Sequence, residues 1–292
     1  MIIQSVRISF YLRGWLMVKV LKPKKHSFDY KKNKNKTPTK DDYDVVINYD
    51  CDIYDGDKVV CSYRKLDNET RLLLKACANK AKTTKSNRTL GVSQESAVFG
   101  ALPRVACRED YCRFSADTKK QPEVFSALKT VGLKLWGVYK ETYPEVAEKF
   151  VGFTNKINKD WLKTNTPFTT VNVNKNFAIG YHLDNANYGD VYSNVLISKY
   201  NAKGGYFVMP EYRVALAQDD GALVIVDGAN IPHGVTKIEP TQKDWNRSSI
   251  VFYTLANLQH CYSQADEIKR SKAITTERAR KRSKGVDPRG QT

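Results

Sequence analysis

FTTVNVNKNFAIGYHLDNAN (residues 168–187), SNVLISKYNAKGGYFVMPEYRVALAQDDGALVIVDGANIPHGVTKI (193–238) and RSSIVFYT (247–254) decide the fold. Within them TTVNVN, SNVLISKY, YFVM, ALVIVDG and SSIVFYTL are β-branched or aromatic runs of strand length, divided by NANYGD, NAKGG, QDDG and NIPHG. Short strands parted by glycine-bearing turns predict an antiparallel barrel or jelly roll. No repeat of fixed period is present.

Upstream of this region the character changes. Residues 122–163 read as two helices. Val124, Leu128, Val131, Leu135 and Val138 share one face, and Pro144 opens the second helix in its first turn. Their expected role is to buttress the sheet, which makes the fold class α+β. In residues 41–120, DDYDVVINYDCDIYDGDKVVCSY predicts short strands around a DG turn, and ETRLLLKACANKAKT predicts a helix. GVSQESAVFGALPRVACREDYCRFS reads as irregular but ordered. The expected organisation is a basic N-terminal arm (1–40), an α+β extension (41–120), helices plus β core (121–257) and a basic tail (258–292).

Charge separates the ends from the middle. The chain carries 48 basic and 31 acidic residues, a net +17, which favours a polyanionic partner. Residues 19–40 hold nine lysines against the single acid Asp29, and residues 258–292 hold nine basic residues against four acids. Both stretches are expected to stay mobile at least in part, as solvated arms or as electrostatic contacts to DNA or RNA. No window approaches the run of about 18 apolar residues that a membrane span needs. The N-terminal MIIQSVRISFYLRGWLMVKV, broken by Arg7 and Arg13, reads as an edge strand rather than a signal peptide. The six cysteines form no CxxC pair, so reduced thiols in an intracellular, reducing compartment are expected. Cys107 and Cys112 leave a zinc site open as a minor alternative.

The chemistry concentrates in the β region. His182 and Asp184 lie two apart at a predicted strand end, so strand geometry aims both at one face and Leu183 at the other. His233, in the NIPHG turn, closes a third corner. Two histidines and one carboxylate on one face of a metal suit non-haem iron(II) oxygen chemistry. Arg247 and Ser249, again two apart, share a face with Val251. A guanidinium aimed into a barrel is costly unless an anion meets it, and the distal carboxylate of 2-oxoglutarate is such an anion.

The order His-x-Asp, His, Arg-x-Ser resembles the 2-oxoglutarate/iron(II) dioxygenases, and more narrowly the TET/JBP group that oxidises the 5-methyl of pyrimidines in nucleic acids, especially its viral and phage members. FGALPRVACREDYCRFS is similar to that group's FG–PR–C stretch, so the resemblance spans about residues 89–257. It implies a double-stranded β-helix, with iron(II) on His182, Asp184 and His233, and with 2-oxoglutarate and O2 as co-substrates. Arg247 and Ser249 would bind 2-oxoglutarate, with Asn174 as a further lining residue. Asn187 falls where TET-type enzymes, in an H-x-D-x-H-N pattern, set an asparagine against the target base, although Ala186 replaces the histidine of that pattern. Tyr188, Tyr181 and Tyr192 are candidate stacking partners for a flipped base or core residues. Asn172 and Asn194 are polar liners or structural. DNA is the implied partner, the substrate being 5-methylcytosine or thymine; no obligate protein partner is evident. The long cysteine-rich region of the animal enzymes is missing. Other readings stay open: a prolyl hydroxylase-like or alkylated-base oxygenase, a metal-free basic nucleic-acid-binding protein, and a cupin-like binding jelly roll.

Overall fold

Alternation along the strand Asn246–Tyr253 explains much of the architecture, because its two faces meet different chemistry. Arg247, Ser249, Val251 and Tyr253 line a cavity, whereas Ile250 and Phe252 belong to an apolar cluster on the other side. The computed structural model describes residues 7–13, 16–87, 93–104 and 110–285. In it this anchor strand lies within a major sheet. The strand order is Arg7–Arg13, Leu16–Lys22, Cys51–Asp55, Lys58–Lys65, Ala222–Val226, Ser193–Tyr200, Asn246–Tyr253, Thr170–Lys175, Ser93–Leu102 and Thr84–Asn87. Every pairing along that path is antiparallel except Leu16–Lys22 with Cys51–Asp55.

A minor sheet of Gly234–Val235, Phe207–Met209, Val214–Leu216 and Val45–Ile47 faces the major one. Ile53, Tyr63, Ile197 and Val224 of the major sheet interdigitate with Ile47, Phe207, Met209 and Leu216 of the minor sheet. The result is the expected α+β jelly roll. On the outer face of the major sheet, the helices Asn68–Lys80, Pro122–Thr142 and Pro144–Thr154 bury Leu74, Val124, Leu128, Val131, Leu135 and Phe150 against Val171, Leu196, Ile250 and Phe252. Each such side chain contributes roughly 1.5–3 kcal/mol when fully buried. The helical stripe ends on Tyr139 rather than Val138, which is only partly buried. No helix among the described residues is long and apolar enough to cross a membrane.

Three expectations need correction. SQESAVFGAL is not irregular: Ser93–Leu102 is a full strand paired with Thr170–Lys175. Its core side is built from Ala97, Phe99 and Ala101, two of them too small to give a hydrophobic signal. Gly100 adopts φ +98°, and a Cβ there would lie 2.2 Å from the Thr169 carbonyl oxygen, so only glycine lets the strand bend past its neighbour.

The basic stretches are ordered over most of their described length. Leu16–Lys22 is a sheet strand, Tyr30–Asn33 is a short helix, and Asn35 N–H donates to the Tyr181 carbonyl at 2.8 Å while Tyr181 N–H donates to the Lys36 carbonyl at 3.0 Å. The segment therefore braces the chain just ahead of His182. The tail forms the helix Gln264–Ser283, capped by Ser263 and fastened by the buried carboxylate of Glu267. That carboxylate pairs with Arg104 at 2.5 Å and accepts from Cys112 N at 2.9 Å and Tyr262 N at 3.0 Å.

The third correction concerns the cysteines. Cys112 and Cys261 form a disulfide across a sequence separation of 149, too distant for local spacing to reveal. Cys51, Cys61 and Cys77 are free thiols, as expected, and lie buried; Cys107 lies outside the described residues. Closing so long a loop restricts the unfolded chain, so Cys112→Ser should lower stability by about 2–5 kcal/mol. Urea denaturation of wild type with and without reductant, beside the variant, measures it; identical midpoints in all three would show that the bond does not form in solution.

Candidate active site

His182 and His233 are brought together by backbone. His182 N–H donates to the His233 carbonyl at 2.9 Å and His233 N–H donates back at 3.1 Å, an antiparallel bridge just ahead of the strand Gly234–Val235. The ring centroids lie 4.3 Å apart. Asp184 sits beyond the bridge, its N–H bonded to the Gly228 carbonyl at 2.9 Å, with Oδ1 3.6 Å from His182 Nε2. One ligand atom from each of the three residues falls within 4.8 Å of the others, as a shared ion requires.

The imidazoles are already oriented for a metal. His182 Nδ1 faces the Gly180 carbonyl at 3.0 Å, and His233 Nδ1 faces the Ile231 carbonyl at 2.9 Å. A carbonyl only accepts, so each Nδ1 carries the proton and each Nε2 keeps its lone pair. Burial pushes the His233 pKa down to about 4, with the neighbouring His182 acting in the same direction and Asp184 against it. His233 is thus neutral, the form that coordinates. Phe207 stacks against its ring at 5.0 Å between centroids. Asp184 Oδ2 accepts from Ser193 Oγ at 3.1 Å, and that hydroxyl accepts from Asn187 Nδ2 at 2.9 Å. Gly228 completes the cradle: a Cβ there would approach Asp184 Oδ2 to 2.6 Å and His233 Cε1 to 3.2 Å.

Behind the triad the cavity, about 520 Å³, reaches Arg247. This guanidinium is 2% exposed, and no carboxylate among the described residues pairs with it. Its partners are neutral: Nη1 donates to the Phe177 carbonyl at 3.2 Å and Nη2 donates to Gln218 Oε1, while Nε has no partner. Burial alone lowers its pKa to about 10, so it stays charged at neutral pH. Register sets Ser249 opposite Asn174 on the adjacent strand, and Asn174 Nδ2 lies 3.5 Å from Ser249 Oγ.

The remaining expected residues divide. Asn172 and Asn174 line the cavity. Asn194 is fully buried outside it, donating to the Tyr192 carbonyl. Asn187 lines the cavity and donates one of its two amide N–H groups to Ser193 Oγ, the hydroxyl that bonds Asp184. Tyr188 does not line the cavity; its ring stacks on Phe153 with centroids 3.8 Å apart. Tyr181 and Tyr192 are core residues, packed against Phe28 and Tyr143 respectively. Ser193, Gln218 and Gly228 escaped the sequence reading. A glycine five residues before His233 carried a faint signal; a serine and a glutamine carried none.

A buried guanidinium met only by neutral groups and a facial metal triad in one jelly-roll cavity define a class: an oxygenase using iron(II), 2-oxoglutarate and O2. Similarity to known proteins agrees. Residues 104–256, just over half of the chain, match the Tet_JBP family, described as the oxygenase domain of the 2OGFeDO superfamily. The chain belongs to this TET/JBP oxygenase family. It is 29% identical over 121 residues to the bifunctional helicase and thymine dioxygenase JBP2 of Trypanosoma brucei brucei (strain 927/4 GUTat10.1), covering 41% of this chain and 11% of that protein. The chain therefore spans about a tenth of that relative. Among solved structures, NgTET1 in complex with 5mC DNA superposes with a TM-score of 0.59 at 13% identity, covering 82% of this chain and 89% of that one. An oxidoreductase of the 2OG-Fe(II) oxygenase family from Burkholderia pseudomallei gives 0.47 at 15% identity, covering 68% and 87%.

Gly228→Ala should weaken binding of Mn(II), a redox-silent substitute for iron, on the order of 10–100-fold while the protein stays folded. Calorimetric titration beside circular dichroism checks it. Unchanged affinity would mean that the ligand cradle yields to a methyl group.

Proposed function

We propose that this protein hydroxylates the 5-methyl group of a pyrimidine, 5-methylcytosine or thymine, in DNA. The reading rests above all on one observation: the metal triad and the unneutralised Arg247 open into the same cavity. Family membership supports it, as do the thymine dioxygenase activity in the name of the JBP2 relative and the methylated DNA in the NgTET1 complex.

Iron(II) held there with 2-oxoglutarate would supply the activation of O2 that inserts one oxygen into a C–H bond, the co-substrate leaving as succinate and CO2. His182, Asp184 and His233 hold the metal; the Gly180 and Ile231 carbonyls fix the ring tautomers, and Ser193 fixes the carboxylate. Arg247 and Ser249 anchor the far carboxylate of the co-substrate in a region closed to water, where a charge-assisted bond is strong. Leu183, Val251 and Leu255 supply apolar walls. A base inside a duplex cannot reach this depth, so the target nucleotide must leave the stack. Asn172 joins Asn187 as a candidate for reading the base: both line the cavity, the buried Oδ1 of Asn172 has no partner, and the bond from Asn187 to Ser193 uses only one amide N–H.

Affinity for DNA would come from the basic surface, and from the tail helix in particular. The chain runs from the anchor strand past Leu255, a cavity residue, into Gln264–Ser283. Leu255 and Tyr188 pack against the cluster that holds the Cys112–Cys261 pair, so the root of this helix is fixed beside the cavity. Lys272, Lys281 and Arg282 project from its exposed side.

Digestion of treated DNA to nucleosides, followed by mass measurement, tests the assignment on 5-methylcytosine-containing and unmodified DNA in parallel. The expected product is a pyrimidine nucleoside one oxygen heavier, formed with stoichiometric succinate and lost in Asp184→Ala. Succinate without any nucleoside change would redirect the search to another substrate. Lys281→Glu/Arg282→Glu should flatten the dependence of DNA affinity on salt, each lost phosphate contact lowering the log–log slope by about 0.9. An unaltered slope would remove the helix from the interface.

A further inference from the structure

Gln218 has no assigned role, yet it is the most enclosed polar side chain in the cavity, at 0% exposure. It follows the strand Val214–Leu216 and precedes the turn into Ala222–Val226. Both flanks are tied down. Ala217 N–H donates to the Ile47 carbonyl at 2.7 Å, Tyr63 Oη donates to the Ala217 carbonyl at 2.8 Å, and Asp220 Oδ1 accepts from Lys199 N at 2.9 Å. The side chain thus stands on fixed backbone.

Its amide orientation follows from chemistry. Arg247 Nη2 contacts the amide, and a guanidinium only donates, so the contacting atom must be Oε1. Nε2 is then turned away from the arginine. It is buried, and it has no hydrogen-bond partner. Arg247 Nε is buried without a partner as well, beneath Gly205, whose missing Cβ would stand 3.6 Å from it. An orphaned buried donor typically costs about 1–3 kcal/mol. Two of them on bonded side chains in one cavity describe a receptor for an acceptor group that both can reach.

We infer that Gln218 is a co-substrate-binding residue: its Nε2 donates to the distal carboxylate of the 2-oxo dicarboxylate held by Arg247 and Ser249. This rests on the 2-oxoglutarate reading of the cavity. One amide face holds the guanidinium in plane, and the other face meets the anion. The seat then has charge from Arg247, a hydroxyl from Ser249 and a fixed neutral donor from Gln218. The third donor favours a ligand that ends in a carboxylate over one of equal length that ends in a methyl group.

The test compares 2-oxoglutarate with 2-oxopentanoate, which has the same chain length and no distal carboxylate. Binding of each to Mn(II)-loaded protein is measured by calorimetry for wild type, Gln218→Leu, Gln218→Glu and Arg247→Ala. Gln218→Leu should weaken 2-oxoglutarate about tenfold or more and leave 2-oxopentanoate unchanged, in line with losing one hydrogen bond to a charged group. Gln218→Glu should weaken 2-oxoglutarate further, because its own carboxylate occupies the guanidinium. Equal weakening of both ligands in Gln218→Leu would make Gln218 a structural prop and overturn the inference, as would wild-type affinity for 2-oxoglutarate in that variant. Failure of the wild-type protein to bind 2-oxoglutarate, or wild-type binding by Arg247→Ala, would instead overturn the reading of the cavity itself.

Discussion

A positive charge enclosed by protein with only neutral groups against it is the constraint from which this cavity is understood. Taking a guanidinium out of water costs several kcal/mol unless an anion repays it. Arg247 is offered a carbonyl and an amide oxygen, which satisfy protons without cancelling charge. Such an arrangement persists because surrounding structure dictates it. The arginine is held in register opposite Lys199 on one side; on the other its carbonyl accepts from Asn176 N at 2.8 Å and its own N–H donates to Asn176 Oδ1 at 2.8 Å. The sheet supplies the geometry, and the partners it offers leave the charge in place.

The metal end is organised by a different device. The His182–His233 bridge and a bond from Val235 N–H to the Ile179 carbonyl at 2.8 Å join the two histidine segments, and both imidazoles use neighbouring carbonyls to settle their tautomers. Those bonds lie within two residues of each histidine, so orientation is set locally. Convergence is set by the fold, through the Asp184–Gly228 bond and the brace of residues 35–38 against Gly180, Tyr181 and Gly234. Local aim and global placement are therefore separable, and the ligands do not depend on a long regular strand. The pair His182 and Asp184 shares a face even though the expected strand end is irregular there.

What could be read from the residues alone followed from periodicity and from costly groups. Period-two alternation identified the anchor strand, and a charge in an inward position pointed to the anion seat. The helical stripe of Val124, Leu128, Val131 and Leu135 was equally plain. The misses share a cause: their meaning lies in contacts between distant segments. Ser93–Leu102 hides among small residues, and Gly228 matters only because Asp184 lies over it. The ordered basic segments are a further case, since lysine content describes solubility and says nothing of the backbone bonds made to Tyr181.

The bond between Cys112 and Cys261 encloses His182, Asp184, Gln218, His233 and Arg247 within one covalent circle. A protease that cut any loop inside that circle would open it without freeing a piece, because the sulfur link would still join the new ends. The three residues of the metal triad and the two polar side chains behind it thus travel as one molecule even after the main chain is severed.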